Sequence, residues 1–238
     1  MDIHDVVKEI KQSFRLMMDG AVAQSMRDKG LNYHLNWGAT LPRLQAKAEE
    51  IRLLVIGSRL LVNDSRFMVN DSRFMVNDSS LPTLHSSLYN LSIALYKENV
   101  RECKILASML MPPDEVLPEV IDIWQEQIPT QEIAEQLAFN LYQHLPFAAD
   151  KAYQWIASDK EYDQLCGFHV LSRLFMNGQE PNERGINEFL DQALCALHGP
   201  YPAVRKAAMQ SLQRFAELGL LYERLAKSAT KSIDLDIF

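Results

Sequence analysis

The chain has 238 residues, 47% of them hydrophobic, with a formal net charge of -7. That length supports a sizeable core, and no apolar run approaches the roughly 18 residues of a membrane span. The charge is uneven. Residues 1–81 hold 11 Lys+Arg against 10 Asp+Glu, residues 82–160 hold 5 against 11, and residues 161–238 hold 8 against 10. An acidic centre argues against a uniformly basic nucleic-acid binder but leaves room for a local basic stripe.

Ile3, Val6, Val7, Ile10, Phe14 and Met17 recur at helical spacing, so a helix is predicted over 3–18, ended by Asp19-Gly20. The polar, acidic start does not read as a signal peptide, and a cytoplasmic protein is expected. A short helix follows over 21–29. Thr40 is a good N-cap and Pro42 suits a first turn, which predicts a helix from Leu41 to about Leu54.

Residues 62–79 are a tandem repeat: Val-Asn-Asp-Ser-Arg-Phe-Met occurs at 62–68 and again at 69–75, then Val-Asn-Asp-Ser at 76–79. Core packing tolerates variation, so perfect identity points to a duplication. The recurring Asn-Asp-Ser is a turn and cap signal, and the segment is expected to be an inserted loop. Short turns or strands are the alternative.

Helical periodicity resumes near Leu84 and runs to Met111, interrupted around Lys97-Glu98 and stopped by Pro112-Pro113. Further helices are predicted over 116–128, 130–144, 147–156, 162–176, 183–197, 201–218 and 220–227. The breaks fall at Pro129, Pro146, Asp159, Gly178, Gly199-Pro200 and Gly219. This is an all-α pattern of short-linked helices over one domain spanning 1–238. Cys103, Cys166 and Cys195 are widely spaced within helical stretches and read as small buried residues rather than disulfide or zinc ligands. His144 and His169 have no ligand spacing, so no metal is expected. No Gly-rich phosphate loop or nucleophile elbow occurs, and no cofactor is expected.

The segment Gly199-Pro200 followed by Val204-Arg205-Lys206-Ala207-Ala208, with Leu212 and Phe215 on the same face, resembles the second helix of a HEAT repeat. Such units stack into an armadillo-like helical solenoid, an α-α superhelix with one concave groove. Three other segments occur in a family's order. Trp37-Gly38-Ala39-Thr40-Leu41-Pro42-Arg43-Leu44 resembles its Pro-x-Arg-x-Leu helix start. Ala94-Leu95-Tyr96 through Glu98 and Arg101-Glu102 to Ala107 resembles its Glu-x-Arg-Glu helix. Trp155-Ile156-Ala157-Ser158-Asp159 resembles its Trp-Ile-x-Ser-Asp helix end. Together they resemble the DNA alkylation-repair (AlkD-like) family of HEAT-like repeat DNA glycosylases.

That resemblance implies duplex DNA in the groove and hydrolysis of the N-glycosidic bond of N3- or N7-alkylated purines. Catalytic members carry a Trp, and an Asp four residues later. The carboxylate supports positive charge building on the sugar, and aromatic rings stabilise the cationic base. The register places Gln131 at the Trp and Glu135 at the Asp. A further family Trp falls near Gln210, and a backbone-contacting Arg near Leu165. Excision is therefore expected to be weak, altered or lost. Arg173, Arg205 and Lys206, with Arg101 as a similar case, are candidates for phosphate contacts.

Each candidate has a plain structural reading beside it. Glu132 and Glu135 suit any helix N-terminus. The arginines could brace a neighbouring repeat. Trp37, Trp124 and Trp155 could be core. The alternative function is a non-enzymatic helical-repeat scaffold for a protein partner, which the acidic middle favours.

Overall fold

The computed structural model describes residues 3–66 and 81–231, with side chains over 3–55 and 87–231. Among the described residues the secondary structure is helical: α1 Ile3–Leu16, α2 Gly20–Asp28, α3 Leu41–Arg66, α4 Leu81–Lys97, α5 Arg101–Leu110, α6 Pro118–Glu126, α7 Gln131–Asn140, a 3₁₀ turn Tyr142–His144, α8 Ala148–Ile156, α9 Glu161–Met176, α10 Glu183–Leu197, α11 Pro202–Ala216 and α12 Leu220–Thr230. One isolated parallel bridge joins Leu35 to Val100. None of these helices is long and apolar enough to cross a membrane. The predicted breaks match most helix ends. The exception is α3, which runs to Arg66 instead of ending near Leu54. Residues 62–66 of the tandem repeat are thus helical backbone, and 67–79 lie outside the described residues. Asn, Asp and Ser cost a helix well under about 1 kcal/mol each, too little to end one by themselves.

The chain divides into two compact units, Met1–Leu117 and Pro118–Phe238. In the first, α5 is buried along its whole length, including Arg101, Glu102 and Lys104. Their charges are matched by backbone. Glu102 Oε1 accepts from the Trp37 and Ala39 amides at 3.1 and 3.2 Å. The Arg101 guanidinium donates to the Ala39 carbonyl at 2.8 Å and reaches Glu102 Oε1 at 3.3 Å. Lys104 Nζ donates to the Tyr96 carbonyl at 2.9 Å and stands 4.0 Å from that ring's centroid. Burial lowers the Lys104 pKa. The Arg101 and Glu102 bonds pin the stretch 35–39 against α5 and offset part of the cost of burying these charges, while Glu102 Oε2 is buried without a hydrogen-bond partner among the described residues. Gly38 allows the turn. Its φ is +75°, and a Cβ there would lie 2.0 Å from the Asp19 carbonyl oxygen. Arg101 is therefore a core residue, 1% exposed, and the reading of it as a phosphate contact is corrected.

The second unit is built of stacked helices in two rows. α9 packs on α7 and α11, α10 packs on α8 and α12, and α8–α9, α10–α11 and α11–α12 contacts join the rows. Small residues set the closest approach. A Cβ on Gly167 of α9 would sit 2.7 Å from Ile156 Cγ2 and 2.8 Å from the Ala152 carbonyl oxygen of α8. Phe175, Phe189, Phe215 and Tyr222 join α9 to α12 in a chain of rings, with centroids 5.0–5.5 Å apart. Such pairs contribute about 0.5–1.5 kcal/mol each beyond the area they bury. Trp124 and Trp155 are core, 3% and 6% exposed, and Tyr142 packs on Trp155 at 4.9 Å. Trp37 in the first unit is half-buried, with the Arg15 guanidinium 5.7 Å from its ring. Cys103 and Cys166 are buried, as expected, and burial raises both thiol pKa values. Cys195 is exposed, contrary to expectation, because it falls on the outward side of α10.

Candidate nucleic-acid interface

In the second unit, α7, α9 and α11 each bury one stripe and leave another open. On α7 the open stripe is Gln131, Glu135 and Phe139, four residues apart. Ile133, Ala134, Leu137 and Ala138 face the core. On α9 it includes His169, Arg173 and Met176, while Leu165, Phe168 and Leu171 are buried. On α11 it includes Lys206, Gln210 and Arg214, while Val204, Ala207, Ala208 and Leu212 are buried. The 3.6-residue period thus sets three short polar stripes along one row of helices.

These stripes meet. Phe139, His169, Arg173, Met176, Gln210 and Arg214 line one cleft of about 260 Å³, together with Ser172 and Gln213. The Arg173 guanidinium lies 4.8 Å from the Phe139 centroid. The His169 ring meets the same Phe139 edge-on at 4.9 Å and 66°. One aromatic ring therefore holds both a cation and an imidazole. Lys206 is close enough to act on His169. Burial first, then the positive charges of Arg173 and Lys206, push its pKa down from 6.5 to about 4. The ring is neutral at pH 7.

Arg214 pairs with Glu217 at 2.6 Å, but both side chains are exposed, so the pair holds Arg214 only weakly. Lys206 makes no ion pair with any described residue. The concentration is meaningful because residues 118–238 carry 10 Lys+Arg against 17 Asp+Glu. A second cleft, between α8, α9 and α10, shows the opposite balance. It is lined by Asp150, Glu180 and Glu188 around Tyr153, whose hydroxyl is buried.

The sequence candidates separate on the structure. Arg173, Lys206 and Gln210 come together at the cleft or beside it. Arg205 does not point there; its guanidinium donates to the Gly199 carbonyl at 2.7 Å and braces the α10–α11 turn. Gln131 Nε2 donates to Glu135 Oε1 at 2.8 Å, so the two candidates on α7 are bonded to each other. Leu165, aligned with a backbone-contacting Arg by the resemblance alone, is buried in the core. Sequence reasoning missed Phe139, His169 and Arg214. The signal was available: Phe139 is four residues after Glu135, His169 four before Arg173, and Arg214 four after Gln210. Among the described residues, no group of three His, Cys, Asp or Glu side chains could hold a metal ion.

No curated protein matches the chain. A solved structure is similar over 98% of this chain and 83% of its own, with a TM-score of 0.71 at 16% identity. That protein is described as one of a new family related to the HEAT-like repeat DNA glycosylases, with affinity for branched DNA structures. The likeness shows a shared HEAT-like fold. Residues 59–217 match the family described as DNA alkylation repair enzyme, a stretch that includes α7, α9 and α11 entire. With more than half of its length matched, the chain belongs to the DNA alkylation repair enzyme family.

Proposed function

We propose that this protein binds DNA through the α7–α9–α11 face, with base excision weak or lost. The observation that carries the reading is that Arg173 and Arg214 line one cleft of an otherwise acidic unit, with Lys206 near enough to act on His169 in it. Cations placed on a rigid helix row suit a phosphate backbone, which fixes register without reading sequence. Gln210 adds an amide that can donate to phosphate or sugar oxygens. The half-buried Phe139 orients Arg173 through its ring face.

The same face explains the weak chemistry. An alkylated purine leaves as a cation-derived base, and an aromatic wall plus a free carboxylate would support that charge. Here Gln131 and Gln210 supply amides at the two positions where the family carries rings. Glu135 retains a carboxylate, one methylene longer and bonded to Gln131. The relative with affinity for branched DNA makes a junction a natural ligand to include beside duplex.

The test measures binding and base release on the same protein. Anisotropy titrations would use plain duplex, duplex with an N7-methylated purine, and a four-way junction. Single-turnover assays would follow the free base. The expected result is binding to DNA with little preference for the lesion and base release close to the uncatalysed rate. Rapid release of methylated purine would refute the loss of excision. No binding to any of the three would leave the protein-scaffold reading in its place.

A further inference from the structure

We infer that His169 is a proton-linked phosphate contact: a DNA phosphate entering the cleft brings a proton onto its imidazole. This rests on the α7–α9–α11 face being the DNA-binding face and adds a residue and a regulation to it.

His169 lines the same cleft as Arg173, Gln210 and Arg214. It stands one turn before Arg173 on α9, so the two side chains rise from the same stripe. Phe139 fixes both, its face toward the guanidinium and its ring against the imidazole edge-on. The imidazole has no hydrogen-bond partner among the described residues. A neutral imidazole in a cationic cleft has a donor to offer, and a protonated one has two.

The charges around the ring come from each element packed against α9. On α9 itself there is Arg173. α11 presents Lys206 and Arg214. α7 presents Glu135 one turn before Phe139, and the 3₁₀ turn carries His144. α8 packs on the Gly167 side of α9, away from His169, and carries Asp150 and Lys151. Of these, Arg173 and Lys206 are the charges that act on His169, and both disfavour its protonated form.

A phosphodiester between Arg173 and Lys206 reverses that balance. Its negative charge offsets the two cations, and its oxygens accept from N–H groups of the protonated ring. The pKa of His169 then rises on binding. By linkage, any group whose pKa is higher in the complex makes binding tighten as pH falls through the window between the two values. That window opens at about 4 in the free protein and closes at the raised value in the complex.

The experiment compares wild type with His169→Gln in anisotropy titrations on a short duplex at fixed ionic strength, from about pH 7.5 to about pH 5, the range in which histidine commonly titrates. Other histidines and carboxylates titrate in both proteins, so the difference isolates His169. Wild-type Kd is expected to tighten more than that of the variant, by up to about tenfold per pH unit within the window. A second readout uses wild type alone. The His169 C2–H resonance is followed against pH with and without duplex, and its midpoint should rise when DNA is present. Equal pH dependence of the two proteins, with an unmoved midpoint, overturns the inference. If in that case Arg173→Ala with Lys206→Ala still abolishes binding, the DNA-binding face stands and only the proton linkage fails. If the double variant binds as wild type does, or wild type binds no DNA at any pH, the face itself is wrong and this inference falls with it.

Discussion

Glu135 sits half-buried on α7 with its Oε1 accepting from Gln131 Nε2 at 2.8 Å. A carboxylate one methylene longer than Asp places its charge about an ångström away, a displacement that can cost about a hundredfold in rate. An amide at Gln131 in place of the ring that the resemblance implies would remove about 0.5–2 kcal/mol of cation stabilisation. Any release of N3- or N7-methylated purine is therefore expected to be very slow, and Glu135→Gln should reduce it to the uncatalysed rate in a single-turnover assay. Equal release by wild type and variant would remove Glu135 from the chemistry. That Gln131 and Glu135 share one face of α7 was legible in the sequence because a four-residue spacing is local. His169 was not, since a lone histidine on a mixed face has no motif. Its value comes from Phe139 thirty residues earlier and Lys206 on another helix. It also carries a stability prediction. Its folded pKa, about 4, lies below the unfolded value of about 6.5. Above that unfolded value both states are neutral and the term is absent. As pH falls from about 6.5 to about 4 the unfolded chain takes up the proton first, and stability drops by up to about 1.4 kcal/mol per unit. Urea unfolding at two pH values in that window should show a smaller drop for His169→Gln than for wild type.

The helices themselves were largely readable, because Gly, Pro and Asp-containing turns fall between runs of helical period. What periodicity could not show is α5. Arg101, Glu102 and Lys104 look like a surface run in the sequence, yet they are buried. Their partners, the backbone groups of Trp37, Ala39 and Tyr96, lie far away along the chain or on the preceding helix, where no pattern marks them. Removing one charge leaves its partner uncompensated inside the protein. Glu102→Ala is expected to cost about 3–5 kcal/mol in urea unfolding. A cost under about 1 kcal/mol would mean that the 35–39 stretch is not held by this carboxylate. In the second unit the equivalent test is steric. Gly167→Val would drive a side chain into Ile156 and the Ala152 carbonyl, and overpacking of this kind costs about 1–3 kcal/mol. Deletion of 69–75 makes the opposite prediction. A duplicated insertion should change stability by less than about 1 kcal/mol when shortened, and loss of cooperative unfolding would show that it is part of the core.

For the whole chain, the resemblance seen in four short segments extends to a family match over 59–217 and a shared fold over 98% of the length. Composition does not fix which charges share a face. An acidic chain can still present a basic face, because only a few cations on one row of helices are needed. Which cations share that row depends on packing: Lys206 lies close enough to act on His169, while its neighbour Arg205 turns back to Gly199. That contrast gives the most direct measurement of the central claim. The slope of log Kd against log salt should be determined on duplex DNA for wild type, Arg173→Ala, Lys206→Ala and Arg205→Ala. Each phosphate contact contributes about one unit of slope. The account predicts that Arg173→Ala and Lys206→Ala each lower the slope by about 1, alike on all sequences, whereas Arg205→Ala leaves it unchanged. Unchanged slopes for Arg173→Ala and Lys206→Ala would contradict it and place any DNA contact elsewhere.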